Sequence, residues 1–207
     1  MNKNRITLPS IFESIQRARI AILSIALTYF AAVVIGMVMA HSGVPLALNA
    51  RDSIVGQAYS GSDATINAMQ NGQPLLAALS DFSGNLFIGA VPSTVTGLGI
   101  IFPYPLAAYR GWIGGIVVVD ENHASRLAQP GEAVYYLVTL LLQLIPYSLA
   151  GGAGVHLGLA YYRSHSRSPA PRWYALPLPE LLDAARIYLL VVPLFLIASL
   201  WEFLVRL

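Results

Sequence analysis

The chain has 207 residues, 56% of them apolar and only 11% charged, with a formal net charge of +2. Soluble domains carry about 25% charged residues, and the apolar runs here are too long and too free of charge for an ordinary soluble core. The basic residues are scattered, which argues against a phosphate-neutralising stripe for nucleic acid. There is no cysteine, so disulfides, thiolate nucleophiles and cysteine-ligated metals are excluded.

An apolar run of about 17–25 residues can cross a hydrocarbon core of about 30 Å as a helix. The first such run covers residues 20–40. Before it, Ser10 and Glu13 have capping-box spacing, while Ile11, Phe12 and Ile15 share one face. Residues 1–19, closed by Arg17 and Arg19, are therefore expected to lie in the cytoplasmic interface. Val38-Met39-Ala40 loosely fits a cleavage site, but the run exceeds the usual 7–15 apolar residues of a signal peptide and further spans follow it. It is taken as an anchor.

Residues 42–73 turn polar and form an outer loop, with a short helix expected over 64–70. Pro74 opens a second span that reaches residue 102, where Pro103 and Pro105 break the helix by removing backbone donors. The third apolar piece, residues 106–119, is short. It is either a tilted full crossing or the return arm of a re-entrant hairpin. A polar loop follows over 120–132. The fourth span, residues 133–162, carries Pro146 and should kink there. Residues 163–184 form a basic loop that ends in an amphipathic lead-in over 180–186, and the fifth span occupies 187–205. The expectation is an all-α, polytopic bundle of about five transmembrane helices, a single domain over residues 1–207.

Lysine and arginine placement sets orientation. Lys3, Arg5, Arg17 and Arg19 precede the first span, and Arg163, Arg167, Arg172 and Arg186 lie between the fourth and fifth. The other side holds Arg51, Arg126 and Arg206. With five crossings this places the chain in the cytoplasmic (inner) membrane, N-terminus inside and C-terminus outside.

On the second span Asp81, Asn85, Gly89, Ser93 and Gly97 recur every four residues, which gathers them on one helical face. Gly111 and Gly115, then Gly154 and Gly158, make small-xxx-small pairs that let backbones approach closely in lipid. Spans two to four are thus expected to form the packed centre, with the glycine-free fifth span facing lipid. The stripe either lines a polar path or serves packing, with Asp81 near the outer interface. Arg110 falls within the third apolar piece. It either snorkels to cytoplasmic headgroups or marks a functional site, and its distance along the bundle argues against direct pairing with Asp81. Glu202 is expected at the interface. His156 has no metal-ligand companion at i+3 or i+4 and is expected to be satisfied by packing. No HExxH, GxSxG or phosphate-binding glycine loop occurs, nor paired carboxylates on one helix. No catalytic residue, metal site or cofactor is expected, and the chain is taken as a non-enzyme.

Three segments together carry a resemblance. Phe82-Ser83-Gly84-Asn85 opens a stretch that ends in Tyr109-Arg110-Gly111-Trp112-Ile113-Gly114. Ala150 to Gly158 reads Ala-Gly-Gly-Ala-Gly-Val-His-Leu-Gly, and Tyr188-Leu189-Leu190-Val191-Val192-Pro193 leads to Trp201-Glu202-Phe203. In order and spacing this resembles the stage II sporulation protein M family of small bacterial and archaeal membrane proteins, over roughly residues 82–205. Asn85 and Glu202 match family positions. Arg110 stands where the family has asparagine, Gly84 where it has a second asparagine, and Gln143 where it has glutamate. The resemblance implies a scaffold or accessory subunit that assembles membrane or extracytoplasmic partners, in spore formers a cell-wall-degrading complex, with lipid around it and a homo-oligomer among the possible assemblies. The rival reading is a small oligomeric transporter or channel subunit with a polar path along Asp81, Asn85, Ser93 and Arg110.

Overall fold

The computed structural model describes residues 8–57, 59, 63–167 and 176–205. Their regular structure is helical; among the described residues the one β pairing is an isolated bridge between Val119 and Ser125.

Helix α1 spans Leu8–His41 without a break. No proline or glycine falls between Ser10 and Ile35, so nothing stops the helix at Arg17 and Arg19. The described part of the expected interfacial segment is therefore the first three turns of α1, and residues 1–7 lie outside the described residues. The 42–73 connection contains two helices, α2 (Pro45–Gln57) and α3 (Ala64–Gln70). Asp63 caps α3 by accepting from the Thr65 and Ile66 amides at 2.8 and 3.1 Å, the side-chain cap that satisfies orphan N–H groups at a helix start.

The second span is mixed. Helix α4 (Pro74–Ser83) runs into a π-helical stretch, Gly84–Ala90, then α5 (Val91–Thr96) and a 3-10 turn, Gly97–Gly99. The Val91 amide reaches back five residues to the Leu86 carbonyl. Pro92 follows and has no N–H to give its own turn, a local reason for the ladder to loosen here. Ile100, at φ +59°, makes the reversal into α6 (Pro103–Ile116). That is a strained conformation for a β-branched residue. Helix α7 spans Pro130–Arg167, and α8 spans Leu178–Leu204. The described part of the expected basic loop is thus mostly helix; residues 168–175 lie outside the described residues.

Among the described residues, four helical stretches are long and apolar enough to cross a membrane: Ser10–His41, Pro74–Gly99, Pro130–Ser166 and Leu178–Leu204. Helix α6 has 14 residues and so measures about 21 Å, short of a hydrocarbon core of about 30 Å. It runs parallel to α1. Gly111 lies against the Tyr29 carbonyl, and four residues later Gly115 lies against the Val33 carbonyl and Gly36. A Cβ at either glycine would penetrate α1 backbone, so glycine sets the approach of these two helices.

The centre differs from the sequence expectation. Gly111 and Gly115 pack on α1, not on the second or fourth span. Helix α8 turns an apolar stripe inward, with Ile187, Val191, Phe195 and Ala198 all buried and Phe195 fully so. Its lack of glycine did not put it at the lipid face; alanine and serine at 198 and 199 are small enough for close packing. Helices α7 and α8 are antiparallel: Tyr135 stacks on Trp201 at 6.1 Å, Tyr147 meets the edge of Phe195 at 4.7 Å, and His156 lies 3.9 Å from Asp183.

Candidate functional site

Helix α4 and the π stretch that continues it turn Asp81 and Asn85 inward, one turn apart. Asn85 Nδ2 donates to Asp81 Oδ2 at 2.8 Å, and Ser199 of α8 donates to the same oxygen at 2.7 Å. Tyr147 of α7 donates its hydroxyl proton to Asn85 Oδ1 at 2.6 Å. That hydroxyl accepts from Arg110 Nη1 at 2.5 Å, and the guanidinium carbon lies 4.3 Å from the Tyr147 ring centroid. One guanidinium thus makes both a hydrogen bond and a cation–π contact with one tyrosine.

Arg110 therefore points into the bundle and does not snorkel. The several turns that separate it from Asp81 in sequence register are bridged by Tyr147 and Asn85, so the two opposite charges are joined without touching. Gly89 makes this possible. A Cβ there would come within 2.6 Å of the Tyr147 hydroxyl and 2.9 Å of Arg110 Nη2. The glycine is a seat for the Arg110–Tyr147 pair.

Above this relay lies a cavity of about 280 Å³. Asp81, Asn85, Arg110, Gln143 and Glu202 all line it, with Tyr29, Tyr136 and Thr139 among its other walls. It occupies the half of the bundle that holds the C-terminal ends of α1, α6 and α8 and the N-terminal end of α7. Glu202 lies on the wall of this cavity beside Gln143, with Tyr135 donating to its backbone carbonyl at 2.7 Å. Gln143 Oε1 is sequestered and has no hydrogen-bond partner.

Ser93 does not belong to the cavity. It is buried below Arg110 and Tyr147, beside a void of about 10 Å³, barely the room one water needs. Farther along, Gly97 and Gly158 pack backbone on backbone, and Gly154 lies against Thr94. In place of the polar path that the rival reading drew along the stripe there is a cavity with a floor: roomy at Asn85, nearly closed at Ser93 and shut at Gly97.

The sequence reading passed over Tyr147, Thr139, Tyr136 and Ser199. A signal existed: Tyr136, Thr139, Gln143 and Tyr147 recur at three- and four-residue steps, which makes one polar face on α7. Ser199 stands one turn before Glu202. A second polar cluster was also missed, at the opposite end of the bundle. Buried Asp183 accepts from Ser14 at 2.8 Å, from Arg17 at 2.6 and 2.7 Å, and from Arg186 at 3.2 Å. It ties α1 to α8. His156 Nε2, at 3.9 Å from Asp183, has no hydrogen-bond partner, so packing does not satisfy that ring nitrogen. Neither cluster gathers three metal-ligating side chains, and no such group occurs among the described residues.

Comparison with protein-family models, with curated proteins and with solved structures finds no match in any of the three.

Proposed function

We propose that this chain is a non-enzymatic protein of the cytoplasmic membrane that binds a small polar solute in the cavity between α4, α6, α7 and α8, as a transporter or solute-binding subunit. One observation carries this reading: polar and charged side chains far apart in the sequence converge on one cavity of about 280 Å³. Ionisable groups at membrane depth are costly, and where they face an interior cavity they mark solute or ion sites. A scaffold has no use for room at Asn85; a solute site requires it. The basic bias of the terminal and 163–186 segments supports an N-inside, C-outside orientation, which would put the cavity in the outer half of the membrane and the Gly97–Gly158 seal in the inner half. α6 would then return to the outer side as the short fifth pass.

The accessory-subunit reading keeps two supports. Asn85 and Glu202, which match the stage II sporulation protein M family, and Arg110 and Gln143, which depart from it, all line this cavity. The 42–73 connection is folded into α2 and α3, which offers an ordered surface to a partner.

Single cysteines test the choice, since the native chain has none. Thr139→Cys should react with a membrane-impermeant thiol reagent added outside, while Ser93→Cys resists it from both sides. If Thr139→Cys is protected as fully as Ala153→Cys, whose position is 1% exposed, the cavity is dry and the scaffold reading stands instead.

A further inference from the structure

Unused donors and unused acceptors both face the cavity, and they stand on different helices. We infer that the solute is a small zwitterion, one molecule that carries a carboxylate and an ammonium group, with its carboxylate at Tyr29 and Arg110 and its ammonium at Asp81 and Glu202. This inference rests on the cavity being a solute site.

The donors belong to α1 and α6, which meet where Gly111 lies against the Tyr29 carbonyl. Tyr29 is a buried residue that lines the cavity, yet its hydroxyl makes no hydrogen bond among the described residues and is not sequestered. Arg110 gives one Nη1 proton to Tyr147, and its guanidinium makes no other hydrogen bond among the described residues. A guanidinium has five N–H donors, so most of them are left over. The acceptors belong to α4 and α8, which meet where Ser199 donates to Asp81. Both bonds that Asp81 accepts fall on Oδ2, which leaves Oδ1 without one. Tyr147 of α7 joins the two sides, accepting from Arg110 and donating to Asn85.

The charges point the same way. Asp81, Glu202 and Arg110 face the cavity, and none of the three belongs to an ion pair among the described residues. A ligand of one sign suits only part of this wall. A lone carboxylate beside Arg110 shares the cavity with two carboxyl groups, and a lone ammonium beside Glu202 shares it with a guanidinium. Like charges brought together away from water repel strongly. A zwitterion meets each pole with its opposite and adds no net charge at membrane depth, where charge is costly. Each end also gains a charge-assisted hydrogen bond, the strong kind. Room suffices: an engineered cavity of about 150 Å³ admits benzene, and this one has about 280 Å³.

The test uses the full chain in detergent micelles, with thermal unfolding followed by tryptophan fluorescence at constant ionic strength. Neutral pH keeps both groups of each zwitterion ionised. The probes are glycine, β-alanine and γ-aminobutyrate, zwitterions of increasing length, against butyrate, n-butylammonium and butyramide. At least one zwitterion should raise the melting temperature with concentration, and its apparent affinity should exceed that of each single-ended or uncharged probe by roughly tenfold, the order expected of one charge-assisted hydrogen bond. Tyr29→Phe should weaken that zwitterion by a similar factor and leave the ligand-free melting temperature unchanged, because the hydroxyl it removes bonds to nothing within the chain. Glu202→Gln should weaken it from the other end; if that variant does not fold, Tyr29→Phe still decides. Butyrate, butylammonium or butyramide binding as tightly as the best zwitterion, or an unchanged affinity in Tyr29→Phe, would overturn the ligand class and leave the cavity reading intact. No shift with any probe overturns the inference too, and labelling at Thr139→Cys then decides whether the cavity reading falls with it.

Discussion

Replacing Gly154 with alanine adds one methyl group at a close helix crossing. The new Cβ would stand 2.5 Å from the Thr94 carbonyl oxygen and 2.7 Å from Thr94 Cα, whereas carbon atoms rest at about 3.5–4.0 Å. Both obstacles are backbone, so α5 and α7 must part by about 1 Å. That strains Thr94, whose hydroxyl donates to the Ala150 carbonyl at 2.9 Å and pairs with the Tyr188 hydroxyl at 2.7 Å. Overpacking costs about 1–3 kcal/mol, and interhelical hydrogen bonds in membrane proteins average about 0.6 kcal/mol. Alanine returns about 1 kcal/mol of helix propensity. The net loss is about 1–3 kcal/mol. Gly84→Ala is the matched control, because a Cβ there meets nothing within 4 Å and retains the propensity gain. Denaturation in mixed micelles, followed by tryptophan fluorescence, should separate the two variants by about 2–4 kcal/mol, with Gly84→Ala at or above wild type. Ala198→Leu, at a position 1% exposed on α8, should lose as much as Gly154→Ala. If Gly154→Ala and Gly84→Ala unfold together, the glycine contact does not hold α5 on α7.

At the opposite end, Asp183→Asn should destabilise the bundle by about 1–3 kcal/mol, the cost of weakening charged hydrogen bonds to a buried group. Glu13→Gln, at an exposed position whose ion pair is with Arg17 at 3.7 Å, should stay within about 0.5 kcal/mol of wild type; equal losses would mean that Asp183 is no tie between α1 and α8. On α2, the hydrogen bond from Arg51, with that from His123, holds the Asp52 carboxyl below its ordinary value. A depressed folded-state value means that its contribution is present above the ordinary carboxylate range and is lost as pH falls through the folded value. The melting-temperature gap between wild type and Asp52→Asn should therefore be open at pH 6 and close in strong acid. A gap unchanged from pH 6 to pH 3 refutes the contact.

The membrane class of this protein is written in its sequence, because run length and charge density are local properties and a bilayer reads them locally. Length and hydropathy suffice to mark the four long helices, and the helix over 64–70 follows from Asp63 standing where a cap is needed. The four-residue recurrence from Asp81 to Gly97 correctly gathers one face, since side-chain direction depends on the local turn. The partners of that face are another matter. Nothing local says that Arg110 will meet Tyr147, or that Gly89 is vacant for their sake and not for a helix. Nor does the absence of glycine from α8 reveal that Phe195 is the largest fully buried side chain there. Those outcomes depend on how α6 registers against α1 through Gly111 and Gly115, and on α7 passing antiparallel to α8. Register between helices is fixed by backbone contact at glycines tens of residues apart. The sequence determined which segments are long and apolar enough to enter a membrane and which faces are polar; the tertiary structure alone decided that these faces line a floored cavity and not a path, because a cavity is the space left when several helices can approach no closer.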